Sequence, residues 1–194
     1  MTSIILGRIS GGALEEGPLA PSAAAAKVRV GGWWYYRAIG RFVVDPAQRQ
    51  DGEMKRSAFV GTWRLVSLEM RKPDGQVSCL LGRDAVGYIM YTEDGYMSVA
   101  MMSGDRPKFA AGDFRRGTTE EKVAAADTYV SYCGRYEIRD DKIIHHIAVS
   151  FFPNWVGVEQ ERLFEFSGGR LSLSTPPFLA EGVQQTAHLV WERV

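Results

Sequence analysis

VGYIMYTEDGYMSVAMM, residues 86–102, decides how the rest of the chain is read. Two runs with a period of two flank Glu93-Asp94-Gly95. That period belongs to strands, whose successive side chains face opposite sides. Asp-Gly between two such runs is the chemistry of a tight antiparallel connection. The stretch predicts a β-hairpin, and the segments around it extend the pattern.

Upstream, FVGTWRLVSLEM (59–70) reads as a strand, and Lys72-Pro73-Asp74-Gly75 as a turn. QVSCLL (76–81) follows as another strand. Downstream, GDRPKFAAGDFRRG (104–117) is a loop. TTEEKVAAADTYVSYCG (118–134) then predicts a helix over about residues 119–133. Thr118 and Glu121 have capping-box spacing. Val123, Ala126, Val130 and Cys133 form its apolar stripe, and Gly134 its stop. Strands resume as RYEIR, KIIHHIAVSF, VGVEQERLFEF, RLSLST and VQQTAHLVWERV, with Asp140-Asp141 and Ser167-Gly168-Gly169 as tight turns. About nine short strands and one mid-chain helix predict an all-β chain, an antiparallel barrel or sandwich. The βαβ alternation of a parallel sheet is absent.

Residues 1–53 have another texture. GGALEEGPLAPSAAAA is rich in small residues and offers little to bury, which is the composition of disorder or a linker. GGWWYYRAIGRFVV is abruptly aromatic and suits an extra strand, and DPAQRQDGE is a polar loop. Either 1–53 is a genuine extension, or the domain begins at Met54. The barrel domain is expected over 54–194.

The 194 residues are 45% hydrophobic and 24% charged, with formal net charge +0. No basic run marks a nucleic-acid partner. No apolar run is long enough for a membrane span, and no secretion signal opens the chain, so a cytoplasmic location is expected. Cys79 and Cys133 lack metal spacing and are expected as reduced thiols. No phosphate loop, nucleophile motif or metal set appears, so neither cofactor nor metal is expected.

Strand alternation sorts the candidate site. In VGVEQERLFEF, Glu159, Glu161 and Glu165 share one face, the solvent side. Gln160, Arg162, Phe164 and Phe166 share the other and are expected inside. A buried guanidinium needs a partner: a carboxylate such as Glu69 or Glu137, carbonyls, water, or an anionic ligand. On the last strand Ala187, Leu189 and Trp191 share the inner face, with His188 outside. Of the adjacent histidines one must face in. Small Ala148 and Ser150 on the face of His146 leave room there for a ligand, whereas His145 keeps company with Ile143, Ile147 and Val149 and reads as packing. Trp155, after Pro153-Asn154, is placed at one mouth.

Gly61-Thr62-Trp63 resembles the Gly-x-Trp signature that opens lipocalin barrels. The longer pattern of FVGTWRLVS, YTEDGYMSVAM, YCGRYEI, HHIAVSFFPNWVG, QERLFEF and LSLSTPP is similar to the lipocalin-like domain family of small bacterial and fungal proteins. The resemblance covers residues 57–194. It differs from standard secreted lipocalins in its mid-chain helix and in lacking a Thr-Asp-Tyr motif. It implies a barrel with an internal cavity, closed at one end by the Trp packed on an Arg of the last strand, here Arg193.

Three functions remain open. The first is binding of a small hydrophobic or amphipathic, even anionic, molecule in the barrel, lined by Trp63, Tyr88, Met90, His146, Gln160, Arg162, Phe164 and Trp191. The second is a cofactor-independent isomerase or cyclase, with His146 as acid or base and Arg162 stabilising an enolate. The third is an interaction module whose barrel is filled by its own side chains.

Overall fold

The computed structural model describes residues 27–194, except residues 31, 32, 39, 40, 45, 114 and 181. Of the extension expected at 1–53, residues 1–26 lie outside the described residues. Strands β1 (Lys27–Val30), β2 (Trp33–Ala38) and β3 (Arg41–Val44) form an antiparallel meander. A helix, α1 (Pro46–Phe59), occupies the segment expected as a polar loop and the first residue of a strand.

The remaining elements are β4 (Gly61–Arg71), β5 (Val77–Ser78), β6 (Val86–Tyr91), β7 (Tyr96–Met102), α2 (Thr119–Asp127), β8 (Tyr129–Arg139), β9 (Lys142–Ser150), β10 (Glu159–Ser167), β11 (Arg170–Ser174), β12 (Phe178–Ala180) and β13 (Val183–Arg193). They make one ten-stranded antiparallel sheet in the order β12-β13-β11-β10-β9-β8-β7-β6-β4-β5. β13 also pairs with β4, from Thr186↔Arg71 to Arg193↔Trp63. With β5 and β12 outside the circuit, ten less two leaves a closed barrel of eight strands. Closure removes the exposed strand edges that an open sheet would leave.

The hairpin forms as its sequence predicts. Tyr91 pairs with Met97 and Ile89 with Val99. Gly95 supplies the positive φ, 85°, that the connection needs. Alternate residues point inward: Trp63 and Leu65, Ile89 and Tyr91, Met97 and Val99, Leu171 and Leu173, Leu189 and Trp191 are all buried in one core. Fully burying side chains of this size contributes roughly 1.5–3 kcal/mol each.

The mid-chain helix is shorter than its sequence suggests. Thr118 and Glu121 do form the capping box, each side chain bonding the other's backbone N–H. The helix ends at Asp127, and residues 129–139 are strand β8. Val130 and Cys133 therefore belong to a strand, and Val123 is 52% exposed. The helix buries none of its side chains. Tyr129 to Cys133 is aromatic and β-branched, and it finds a full ladder on β7, from Met102↔Tyr129 to Ser98↔Cys133. That pairing outweighs a chance helical spacing.

Gly134 is not a helix stop. It sits at a register shift in the β8–β9 ladder, where a Cβ would lie 1.9 Å from the His146 carbonyl oxygen. Only glycine permits the two backbones to approach so closely.

Candidate functional site

One end of the barrel is shut. Arg193 lies over the Trp63 ring, 4.2 Å from its centroid, as the Gly-x-Trp resemblance implies. Its guanidinium donates to the carbonyls of Val60 and Ala58 at 2.7 and 2.6 Å. The Trp63 indole N–H donates to the Phe59 carbonyl at 2.8 Å. These bonds fasten the end of α1 to the barrel. Buried Phe59 meets Tyr91, Phe164 and Phe166 edge-on at 5.3, 4.9 and 4.9 Å. Lys55 also donates to the Asp140 carbonyl in the β8–β9 turn. Outside this end, between the clamp and the β10–β11 turn, lies an open groove of about 410 Å³.

The interior carries a polar cluster. His145 is 0% exposed. The Tyr91 hydroxyl lies 3.0 Å from its Nε2, and the Tyr132 hydroxyl 3.2 Å from its Nδ1. Burial first, then the positive charge of Arg162, then His146, hold the His145 pKa well below its ordinary value. The imidazole is thus neutral near pH 7. Burial likewise raises Tyr91 well above the ordinary tyrosine value, so its hydroxyl keeps its proton.

Arg162, on β10, is half-buried. Its guanidinium donates to the Glu161 carbonyl at 2.8 Å and to the Gln160 side-chain oxygen. Among the described residues it makes no ion pair. Neither carboxylate expected to neutralise it does so. Glu69 pairs with Arg71, and Glu137 with Arg139. Both stand on the outer surface.

Five of the expected lining residues face the interior: Trp63, Gln160, Arg162, Phe164 and Trp191. Three do not. His146 is on the outer wall, its Nδ1 3.3 Å from Glu159 and its Nε2 3.8 Å from Glu137. Register explains this, because directly opposed residues share a face. His146 pairs with Glu159, whereas His145 pairs with Gln160. Tyr88 and Met90 are also outside, 50% and 44% exposed. They oppose Arg64 and Thr62, while Ile89 opposes buried Trp63. His188 is half-buried and meets the Thr186 hydroxyl at 3.0 Å, with Glu69 opposite it on β4.

The interior residues that the sequence reading missed are Tyr91, Tyr132 and His145. His145 faces inward with Gln160, its partner across the ladder, a register that the sequence alone does not carry. At the other end of the barrel, Trp155 in the 3-10 turn Pro153–Trp155 packs edge-on against Tyr132 at 5.7 Å. The turn thus links the mouth to the polar cluster.

The 4'-hydroxy-3'-methoxypropiophenone carrier protein of Aspergillus oryzae is 33% identical over 107 residues, which cover 50% of this chain and 96% of that protein. Among solved structures, a lipocalin-like protein of Bacteroides uniformis shares 14% identity at a TM-score of 0.39, covering 71% of this chain and 99% of its own. A protein of Bacteroides eggerthii shares 17% identity at a TM-score of 0.37, covering 70% and 99%. Residues 60–194 match the lipocalin-like domain family as a whole, and the chain belongs to that family.

Proposed function

We propose that this protein binds a small hydrophobic or amphipathic molecule, one bearing an anionic or strongly polarised oxygen, inside the barrel. The observation that carries this reading is Arg162. It points inward from β10, and its hydrogen-bond partners among the described residues are neutral oxygens. A half-buried cation without a counter-charge favours an anionic or electron-rich guest. Aromatic and aliphatic walls from Phe164, Tyr91, Ile143 and Trp191 suit the rest of such a molecule. The name of the Aspergillus oryzae relative, a carrier of a phenolic ketone, supports the same class of guest.

An isomerase acting through His146 loses its acid–base group, because that imidazole faces solvent and two glutamates.

The test is a titration of intrinsic tryptophan fluorescence with two probes, 1-anilinonaphthalene-8-sulfonate and 4'-hydroxy-3'-methoxypropiophenone. Saturable binding of either, weakened in Arg162→Leu, is the expected result. Failure of both to saturate would overturn the reading and leave a barrel filled by its own side chains.

A further inference from the structure

The hydrogen bonds around His145 constrain the guest further, on the premise that the barrel binds one. A neutral imidazole has one N–H and one bare nitrogen. Both nitrogens face a tyrosine hydroxyl. One tyrosine therefore accepts the ring N–H, and the other donates to the bare nitrogen. The donor has used its only proton. The acceptor keeps its own O–H, for which the described residues offer no further acceptor.

Changing the imidazole tautomer moves this spare O–H from one tyrosine to the other without removing it. The trio holds three polar protons and forms two internal bonds, so one donor is always left over. It is shielded from bulk solvent, since Tyr91 and Tyr132 are both buried. Tyr136 does not use it, because that hydroxyl donates to the Thr92 carbonyl at 2.9 Å. The Trp191 indole N–H is a second buried donor without an acceptor among the described residues. Among the described residues the buried polar side chains are Ser103, His145 and Gln185, none of them acidic. Unpaired buried donors are destabilising, so this interior is short of acceptors.

We propose that the Tyr91-His145-Tyr132 relay receives a carbonyl oxygen of the bound molecule. A carbonyl brings no proton of its own, so it closes the set. An alcohol brings one more proton and leaves one over again. The guest class is thus a hydrophobic ketone or aldehyde rather than the corresponding hydrocarbon. Because either tautomer serves, loss of one tyrosine leaves a donor in the trio, loss of both leaves the imidazole N–H, and only loss of all three groups removes the receptor.

The experiment compares two probes by calorimetry: 4'-hydroxy-3'-methoxypropiophenone and 2-methoxy-4-propylphenol, which replaces the carbonyl by a methylene. The wild type is expected to hold the ketone about tenfold more tightly, the scale of one net hydrogen bond. Tyr91→Phe and Tyr132→Phe singly should keep most of that preference, and the triple variant Tyr91→Phe/Tyr132→Phe/His145→Leu should lose it. A second readout needs no variant. The infrared carbonyl stretch of the bound ketone should fall relative to the same ketone in hydrocarbon solvent. Equal affinity for the two probes in the wild type, an unshifted carbonyl stretch, or a preference that survives in the folded triple variant would overturn the assignment. If neither probe binds while 1-anilinonaphthalene-8-sulfonate does, this assignment falls and the binding reading stands; if the dye fails as well, both fall.

Discussion

His145 and His146 are consecutive in the chain and stand on opposite sides of one wall. His145 is enclosed between the hydroxyls of Tyr91 and Tyr132, and His146 lies at the surface between Glu137 and Glu159. The same side chain thus serves two purposes one residue apart. The inner one is held neutral by burial, and the outer one joins a charged rim.

That difference gives stability a pH dependence. The folded pKa of His145 lies well below the 6.5 of an ordinary histidine. Between those two values the unfolded chain binds more protons, so stability rises with pH there. The contribution is complete above about pH 6.5 and is lost as pH falls toward the folded pKa, by up to about 1.4 kcal/mol per unit. Urea unfolding at pH 7 and pH 5 should show the loss. His145→Gln should have a shallower slope, whatever its absolute stability.

Arg162→Leu separates binding from folding. The guanidinium bonds a neutral carbonyl and a neutral amide, with no ion pair among the described residues. Replacing it with an apolar side chain removes a desolvated charge and leaves no carboxylate orphaned. Its stability should stay within about 1 kcal/mol of the wild type or rise. Its affinity for 1-anilinonaphthalene-8-sulfonate should fall about tenfold. Parallel urea unfolding and dye titration read the two effects.

Gly134→Ala should be far more damaging than a typical strand substitution. The added Cβ would meet the His146 carbonyl oxygen at 1.9 Å and the Ala148 nitrogen at 2.9 Å, and both are backbone atoms. Neither can rotate away, so β8 and β9 must separate. A loss of about 3 kcal/mol or more is expected, measured by chemical unfolding. Gly75→Ala makes a useful contrast: nothing lies within 4 Å of its Cβ, and only its φ of 85° opposes the change.

Arg193→Ala removes bonds to two carbonyls and the contact with Trp63. A loss of about 2–3 kcal/mol is expected in urea unfolding. Arg193→Lys should recover only part of it, because an ammonium cannot both lie flat on the indole and reach the two oxygens.

Thr118→Ala tests how loosely α2 is attached. The capping box holds its first turn, but the helix buries no side chain. Removing the cap should speed amide exchange in residues 119–127 and cost about 1 kcal/mol locally. The global unfolding midpoint should barely move.

The barrel was legible because hairpin turns and two-residue alternation are local features. Lys72-Pro73-Asp74-Gly75, Glu93-Asp94-Gly95 and Gly168-Gly169 all fall between strands. The inner faces of β10 and β13 were legible too, because Glu159 and Glu165 mark the outside of one, and Trp191 the inside of the other. The histidine pair was not. Which of two adjacent residues faces in depends on register with β10, and the connection from 151 to 158 is too long to fix register from sequence. Residue size on the His146 face pointed the wrong way, since its space opens onto solvent. Tyr88 and Met90 failed for a related reason: their run is apolar on both faces, so only pairing with β4 separates Ile89 from its neighbours. The helix ran too long because Val130 and Cys133 kept helical spacing with Val123 inside a segment that pairs with β7.

The ladder between β4 and β13 has a consequence for biosynthesis. β4 emerges first among the barrel strands, yet one of its two long neighbours is β13, more than a hundred residues later. Until β13 is released by the ribosome, β4 carries an open edge, and Arg193 is not there to hold Trp63. Contacts this distant in sequence slow folding and prolong the exposure of unpaired strands. A nascent chain stalled before β13 should therefore be a client for chaperones, and release of that strand should be the step that frees it.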